Sequence, residues 1–492
     1  MRISKINSLM RIIILLFLGF FVGFITPCNA QMGTINGQVS IQGSPVEFAQ
    51  VIILSTTSGA LTNSKGHYQF KEIPFGTYNL EASFVGYKSI KKSISLEANT
   101  PNVTLSFNLL EESLTLDAVV VTGTKTYKRQ TNTPVIVNVI NSQTLDNVQA
   151  CNLSEGLKFQ PGLRVETDCQ TCNYTQLRIN GMAGGYSQIL INGRPIFSPL
   201  TGLYGLEQIP TNMIDRIEVV RGAGSSLYGS SAIAGTVNVM TKIPRENSYE
   251  LQYLYQAVDH QTIDHQINGN ASLVYSDNTF GGTLFFNRRN RGLYDANDDN
   301  FSELPKLDNT AIGSNLFYTP NSNEKLEIST SYVKEYRFGG DMTEGLFPDE
   351  KQQAEERMHN VFMASADYHI NFNNDNSSLT SYAAWQKTDR DHYTGILPET
   401  NTTAYTDFLA NPPYGTSEVS TYNFGVQFDH RLTTFLGGTN VLTLGSEYIQ
   451  DQVFDAIPSY NYRIDQTTKN FGVFVQSDWA LSSKWTFLSG IR

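Results

Sequence analysis

From about Asn247 onward the chain repeats one pattern, short stretches of alternating apolar and polar residues separated by turns rich in Asp and Asn. Alternation with a period of two places successive side chains on opposite faces and predicts strands. Segments at 249–258, 267–275, 281–287, 311–318, 325–336, 360–372, 379–388, 419–430, 441–449 and 470–479, with another opening near Trp485, predict roughly eleven strands. The breaks at 295–300 and 371–376 suit turns or short loops, and the stretches 340–357 and 391–415 suit long ones. The chain is 40% hydrophobic and 16% charged, yet carries 25 Tyr and 28 Phe. A tilted strand crosses a bilayer with about 9–11 residues, whereas a helix needs about 20 apolar ones. After the first thirty residues no such helical run occurs, so any crossing must be made by strands.

The opening residues stand apart. Arg2, Lys5 and Arg11 precede the apolar run Ile12 to Ile25, and Cys28-Asn29-Ala30 supplies small residues before Gln31. This three-part design predicts a secretory signal peptide over 1–30. Export admits disulfides, and Cys169 with Cys172 is the candidate pair, leaving Cys151 unassigned. Two close thiols with no neighbouring His do not make a metal site, and none is assigned. With 35 Lys and Arg against 46 Asp and Glu, the net charge of -11 argues against nonspecific nucleic-acid binding. No nucleophile–base pair stands at motif spacing, so neither catalytic residues nor a cofactor is expected.

Residues 31–112 alternate over shorter stretches, as in Thr34 to Val39, Ala49 to Ile53 and Val103 to Phe107. Turn chemistry falls at Asn63 to Gly66, Pro74 to Gly76 and Gly86 to Lys88. The expectation is a small antiparallel β-sandwich of roughly seven strands, with His67 at a solvent-facing strand edge. Gly37-Gln38-Val39, Thr62 to Tyr68, Pro74 to Tyr78 and Gly86-Tyr87 resemble the carboxypeptidase-regulatory-like domain of many Bacteroidetes receptors. That resemblance implies a periplasmic accessory module without peptidase activity. Residues 113–130 follow as a linker, in which Leu116 to Gly123 forms a short extended segment. Read from its pattern it is an edge strand or a strand offered to another protein's sheet.

Residues 131–245 read as an α/β unit. A helix is expected near Leu153 to Phe159, then Pro161-Gly162-Leu163-Arg164-Val165 opens a strand. Arg178-Ile179-Asn180-Gly181 and Leu190-Ile191-Asn192-Gly193-Arg194 end two strands in Asn-Gly turns. A further strand holds Ile217-Glu218-Val219-Val220, with Arg216 on the face of Glu218 and Arg221 at its end. Gly222 and Gly224 after a strand suggest a nucleotide-binding turn, but the third glycine of that fingerprint falls on Leu227 and no Lys-Ser or Lys-Thr pair follows.

The order of these motifs, with Ile209-Pro210, Leu227-Tyr228-Gly229 and Gly235-Thr236-Val237-Asn238, resembles the plug of TonB-dependent receptors. The resemblance implies a mainly β chain in which a small β-sandwich and an α/β plug precede a partial antiparallel transmembrane β-barrel over 246–492. The family barrel has twenty-two strands, so about half of it is expected here. Asp117, Ala118, Val119, Val120 and Val121 would be the TonB-binding segment. Arg178, Gly181, Gly193, Arg216, Glu218, Arg221, Gly222 and Gly229 would shape the plug. Cys169 to Gly181 and Tyr204 to Pro210 are similar to haem-uptake receptors, and Tyr186 and Tyr204 are the candidate ligand contacts. Implied partners are the TonB–ExbB–ExbD complex, an iron-siderophore or haem-like ligand, outer-membrane lipid and a surface lipoprotein, with no nucleic acid. The expected place is the cell outer membrane.

Overall fold

A computed structural model describes residues 32–492 except 42, 55, 57, 85–86, 112–118, 168–174, 196–201, 223–224, 276 and 483. The leader assigned to 1–30, Asp117, Ala118, Cys169 and Cys172 therefore lie outside the described residues. The chain divides into two compact units, Met1–Asp117 and Ala118–Arg492.

The first unit is organised by Met32–Ile41, whose alternation buries Ile35 and Val39. This strand pairs antiparallel with Ser44–Pro45 and His67–Pro74, and parallel with Asn102–Thr104 and Phe107–Glu111. Nine strands result, against the seven expected. The difference comes from two- and three-residue pieces, and Val103 to Phe107, read as one strand, belongs to two. Gly37 allows the close crossing there, since a Cβ would stand 1.8 Å from the Leu105 carbonyl oxygen. Val51, Ile53, Leu80, Phe107 and Leu109 fill the core.

Thr62 is a buried staple in this unit. Its hydroxyl donates to the Val46 carbonyl at 2.7 Å and accepts the Ala49 N–H at 2.8 Å, across Phe48, whose φ is 62°. Thr62→Val keeps the shape but leaves both backbone groups without that partner. We expect a loss of about 1–3 kcal/mol, read as an earlier melting transition of this unit in calorimetry of the full chain.

In the second unit the plug comes first. Its sheet contains β1 (Val137–Asn141), β4 (Ser187–Ile191), β5 (Ile214–Arg221) and β6 (Gly235–Thr241), in the order β1-β5-β6-β4. The β4–β6 pair is parallel and the others antiparallel. β2 (Leu163–Thr167) and β3 (Thr175–Ile179) form a separate hairpin. Helices α1 (Ser142–Asn147), α2 (Leu153–Leu157), α3 (Gly202–Gln208) and α4 (Ser225–Tyr228) complete it. Asn141 and Asn152 cap α1 and α2 through their side chains. Cys151, just before α2, is a free buried thiol that burial pushes up to about 12.

The last sheet is a continuous antiparallel run of eleven strands in sequence order. They are β7 (Ser248–Val258), β8 (Thr262–Val274), β9 (Phe280–Arg291), β10 (Lys306–Asn321), β11 (Glu324–Gly340), β12 (Gln353–Phe372), β13 (Ser377–Ile396), β14 (Tyr414–Phe435), β15 (Gly438–Ile457), β16 (Tyr462–Ala480) and β17 (Thr486–Ile491). Connections at one mouth are short, and those after β9, β11 and β13 at the other are long. The strands run further toward the long-loop mouth than their alternation suggests. Asp391 to Ile396 and Gln353 to Arg357, expected in loops, are ladder residues.

Its faces are inverted relative to a soluble sheet. On β8 the buried residues are Thr262, Asp264, Gln266, Asn268, Asn270 and Ser272, while Ile263, Ile267 and Leu273 are exposed. Polar side chains face inward and apolar ones outward, as in a membrane barrel wall. The inward Phe285, Ala311, Val333, Val361, Met363 and Ala384 share one core with the plug's Leu157, Ile217, Val237 and Val239. No helix among the described residues is long and apolar enough to cross a membrane.

Candidate functional site

The second unit opens with an extended strap. Val119 and Val120 pair with Arg129 and Lys128, and the chain between them lies against both plug and wall. Val120 is buried with Val137 and Val220. The strap's firmest hold is on Thr122.

Glu218, in the middle of β5, is completely buried. One carboxylate oxygen accepts the Val121 and Thr122 N–H groups, each at 2.9 Å, and the Thr122 hydroxyl at 2.6 Å. The other accepts from Arg216 at 2.9 Å, the two residues sharing one strand face as their spacing requires. Tyr228, from α4, donates to the Thr122 carbonyl at 3.0 Å, and the Asn238 amide donates to the Thr122 hydroxyl at 3.0 Å. A buried carboxylate is tolerated only when paired and hydrogen-bonded, and this one is satisfied largely by the strap.

The clasp connects onward to the wall. The Asn238 side-chain oxygen accepts the Gly193 N–H at 2.8 Å. Asn192 and Gly193 both have positive φ, 50° and 79°, and Asn180 and Gly181 match them at 53° and 79°, the left-handed turn geometry that Asn-Gly favours. The turn presents Arg194, which pairs with Asp367 on β12 and stacks 3.5 Å from the centre of the Tyr382 ring on β13. Elsewhere Arg289 joins Asp264 to Glu155 of α2, and Arg337 pairs with Glu207 of α3.

The strap also touches the wall directly. Gln427 donates to the Lys125 carbonyl at 2.9 Å, Gln476 to the Thr124 carbonyl at 3.1 Å, and Lys128 pairs with Asp478. The Lys125 ammonium lies 4.9 Å from the Tyr228 ring centre and 4.5 Å from that of Phe474. Cavities of about 720 and 250 Å³ both have Lys125 and Tyr127 in their walls. The strap is thus tied by polar bonds more than by packing.

Burial lowers the Lys125 pKa from 10.5 to about 8, with Glu447 opposing the shift. The docked strap therefore favours the neutral amine relative to the undocked one. Docking should strengthen as pH rises from about 8 to 10.5 and hold a constant, weaker level below about 8. A spin label at Val119→Cys should lose mobile signal between pH 7.5 and 10, and Lys125→Met should flatten that response. Equal mobility across the range would contradict it.

The other sequence-predicted residues are dispersed. Arg178 pairs with Glu166 on the β2–β3 hairpin. Arg221 is exposed and reaches the Pro161 carbonyl at 3.4 Å. Gly222 and Gly229 have φ of 72° and 85°. Tyr186 is 50% exposed, at the end of β4 opposite Arg194. The side chain of Tyr204 lies outside the described residues. Thr122, Lys125, Tyr228, Asn238, Gln427 and Gln476 were not singled out individually by sequence. Only Asn238, an amide inside the apolar run Val237-Asn238-Val239, carried a signal.

Two family models match the chain. Residues 35–121 match the CarboxypepD_reg-like domain, and residues 129–236 match the TonB-dependent Receptor Plug Domain. The vitamin B12 transporter BtuB of Vibrio cholerae is 31% identical over 138 residues, 28% of this chain and 23% of that protein. The iron-regulated outer membrane virulence protein of Vibrio cholerae is 36% identical over 118 residues, 23% of this chain and 18% of that protein. The ferric enterobactin receptor PfeA of Pseudomonas aeruginosa superposes with a TM-score of 0.57 at 16% identity, over 72% of this chain and 57% of that one. FpvA of the same species gives 0.61 at 12% identity, over 83% and 60%. The chain thus matches less than two thirds of the length of each of these proteins. Residues 129–236 thus match the plug domain of TonB-dependent receptors, and the strands that follow share the fold of the outer-membrane receptors on which they superpose.

Proposed function

We propose that the full-length protein takes up an iron-siderophore complex across the outer membrane, driven by the TonB–ExbB–ExbD complex. The observation that carries this reading is the clasp. The stretch Asp117 to Val121 runs directly into Thr122, so tension on it loads Glu218, Tyr228 and Asn238 at once. Hydrogen bonds broken by such a pull are replaced by bonds to water, so the net cost of each is small, about 0.5–1.5 kcal/mol. Withdrawal of Val121 to Lys128 would also remove the wall shared by the two cavities. Within this reading 1–30 is the leader, 31–112 the accessory domain, 113–130 the docking segment, 131–245 the plug and 246–492 barrel.

Iron is supported by the 36% identity over 118 residues to the iron-regulated Vibrio protein. Cobalamin is the second reading, because the resemblance to a B12 transporter spans a longer stretch, 186 residues at 27% identity. A haem ligand would draw on Tyr186, as no His occurs between 131 and 245. Native mass spectrometry of the full-length protein purified from iron-limited cells should show a bound ferric complex. Bound cobalamin or haem in its place would overturn the siderophore assignment. Uptake unaffected by a protonophore would overturn energised transport.

A further inference from the structure

The outward face of β9–β11 changes character abruptly near the long-loop mouth. Phe286, Ile312 and Tyr332 stand opposite one another across the three strands, and they are 40%, 57% and 41% exposed. Two residues further toward that mouth, on the same face, stand Arg288, Thr310 and Lys334. The next step brings Asp308 and, opposite it, Tyr336, with Lys306 beyond. An apolar row meets a cationic row, as at the boundary between acyl chains and headgroups.

Arg288 is fixed in place. It pairs with Asp308, one of the bonds measuring 2.6 Å, and donates to the Thr310 hydroxyl at 2.6 Å. Lys334 and Lys306 are exposed and have no acidic partner among the described residues. The outward acid on the adjoining strand, Glu356, accepts the Tyr336 hydroxyl at 2.8 Å. Toward the long-loop mouth the outward charges on these three strands are Arg288, Lys306 and Lys334 against Asp308, and Glu324 lies at the opposite end of β11. Further round the sheet Lys387 pairs with Asp389 at 3.2 Å and Arg463 with Asp465 at 2.9 Å, Glu418 is acidic, and Lys469 is a single exposed cation opposite Gln450. On β9–β11 three cations stand together on adjacent strands near the long-loop mouth.

We infer that this sector binds the phosphate headgroup of an outer-leaflet lipid. Arg288 and Lys334 hold the phosphate, and Phe286, Ile312 and Tyr332 line the first part of its chains. Placing a fixed guanidinium and a free ammonium at headgroup level on one sector favours an anionic lipid over a neutral one. This depends on the outer-membrane placement and not on which solute is transported.

The full-length receptor in detergent, incubated with phosphatidylglycerol or phosphatidylcholine and weighed by native mass spectrometry, should retain more of the anionic lipid. Arg288→Gln with Lys334→Gln should abolish that preference, whereas Lys387→Gln should leave it. Lys334→Gln alone should weaken the preference and Lys334→Arg should keep it, which separates charge from folding. Equal retention of both lipids, a preference that survives the double variant, or displacement by equimolar inorganic phosphate would each overturn the assignment.

Discussion

Replacing Glu218 with Ala should free the strap while the plug sheet persists. The carboxylate accepts three bonds from Val121 and Thr122 and one from Arg216. Its removal leaves those donors facing a small apolar side chain in the plug interior. Breaking a buried pair by deleting one partner costs about 3–5 kcal/mol, more than the strap's few wall contacts can offset. A spin label at Val119→Cys should change from a mainly immobile to a mainly mobile spectrum in Glu218→Ala. Thr122→Val, which removes one hydroxyl and keeps both N–H bonds, should shift the equilibrium by about 1 kcal/mol. Because both changes act on one network, the double variant should fall short of the sum. An additive result, or an immobile label in Glu218→Ala, would show that the strap is held elsewhere.

The clasp shows how far sequence reached. Arg216 and Glu218 are two apart in a strand, so their shared face followed from period alone. The Asn180-Gly181 and Asn192-Gly193 turns followed from the tolerance of Asn and Gly for positive φ. The partner of Glu218 did not follow, because Thr122 lies 96 residues away. Thr122-Gly123-Thr124-Lys125-Thr126 is a polar stretch with no periodicity, and only the closed plug gives it a role.

All eleven barrel strands were legible, yet their ends near the long loops were not. Asp389, Arg390, Asp391 and His392 break apolar alternation because there the wall faces water or headgroups on its outside and polar partners inside. His392 reaches over β14 to bond Asp455 of β15 at 3.2 Å. Backbone pairing continues where hydrophobic patterning stops. In the first unit the same limit appears at Ser44–Pro45 and Asn102–Thr104, too short for alternation to register.

Deletion of Asp117 to Val121 should have the second large effect. In this account the segment carries no ligand contact and supplies no strand of the barrel, so the receptor should still reach the outer membrane and still bind its solute. What it loses is the strand through which force enters the clasp, since the β-type docking proposed for it works through backbone hydrogen bonds. The clasp residues Thr122, Glu218 and Asn238 remain, and so does the plug.

Uptake of labelled ferric complex by energised cells carrying the full-length receptor, with surface level measured in parallel, tests this most directly. The deletion variant should bind the complex at the surface as the intact receptor does and import it no faster than cells lacking the receptor. Import at the intact rate, from an equal amount of surface protein, would contradict the claim that a pull on Thr122 opens this receptor.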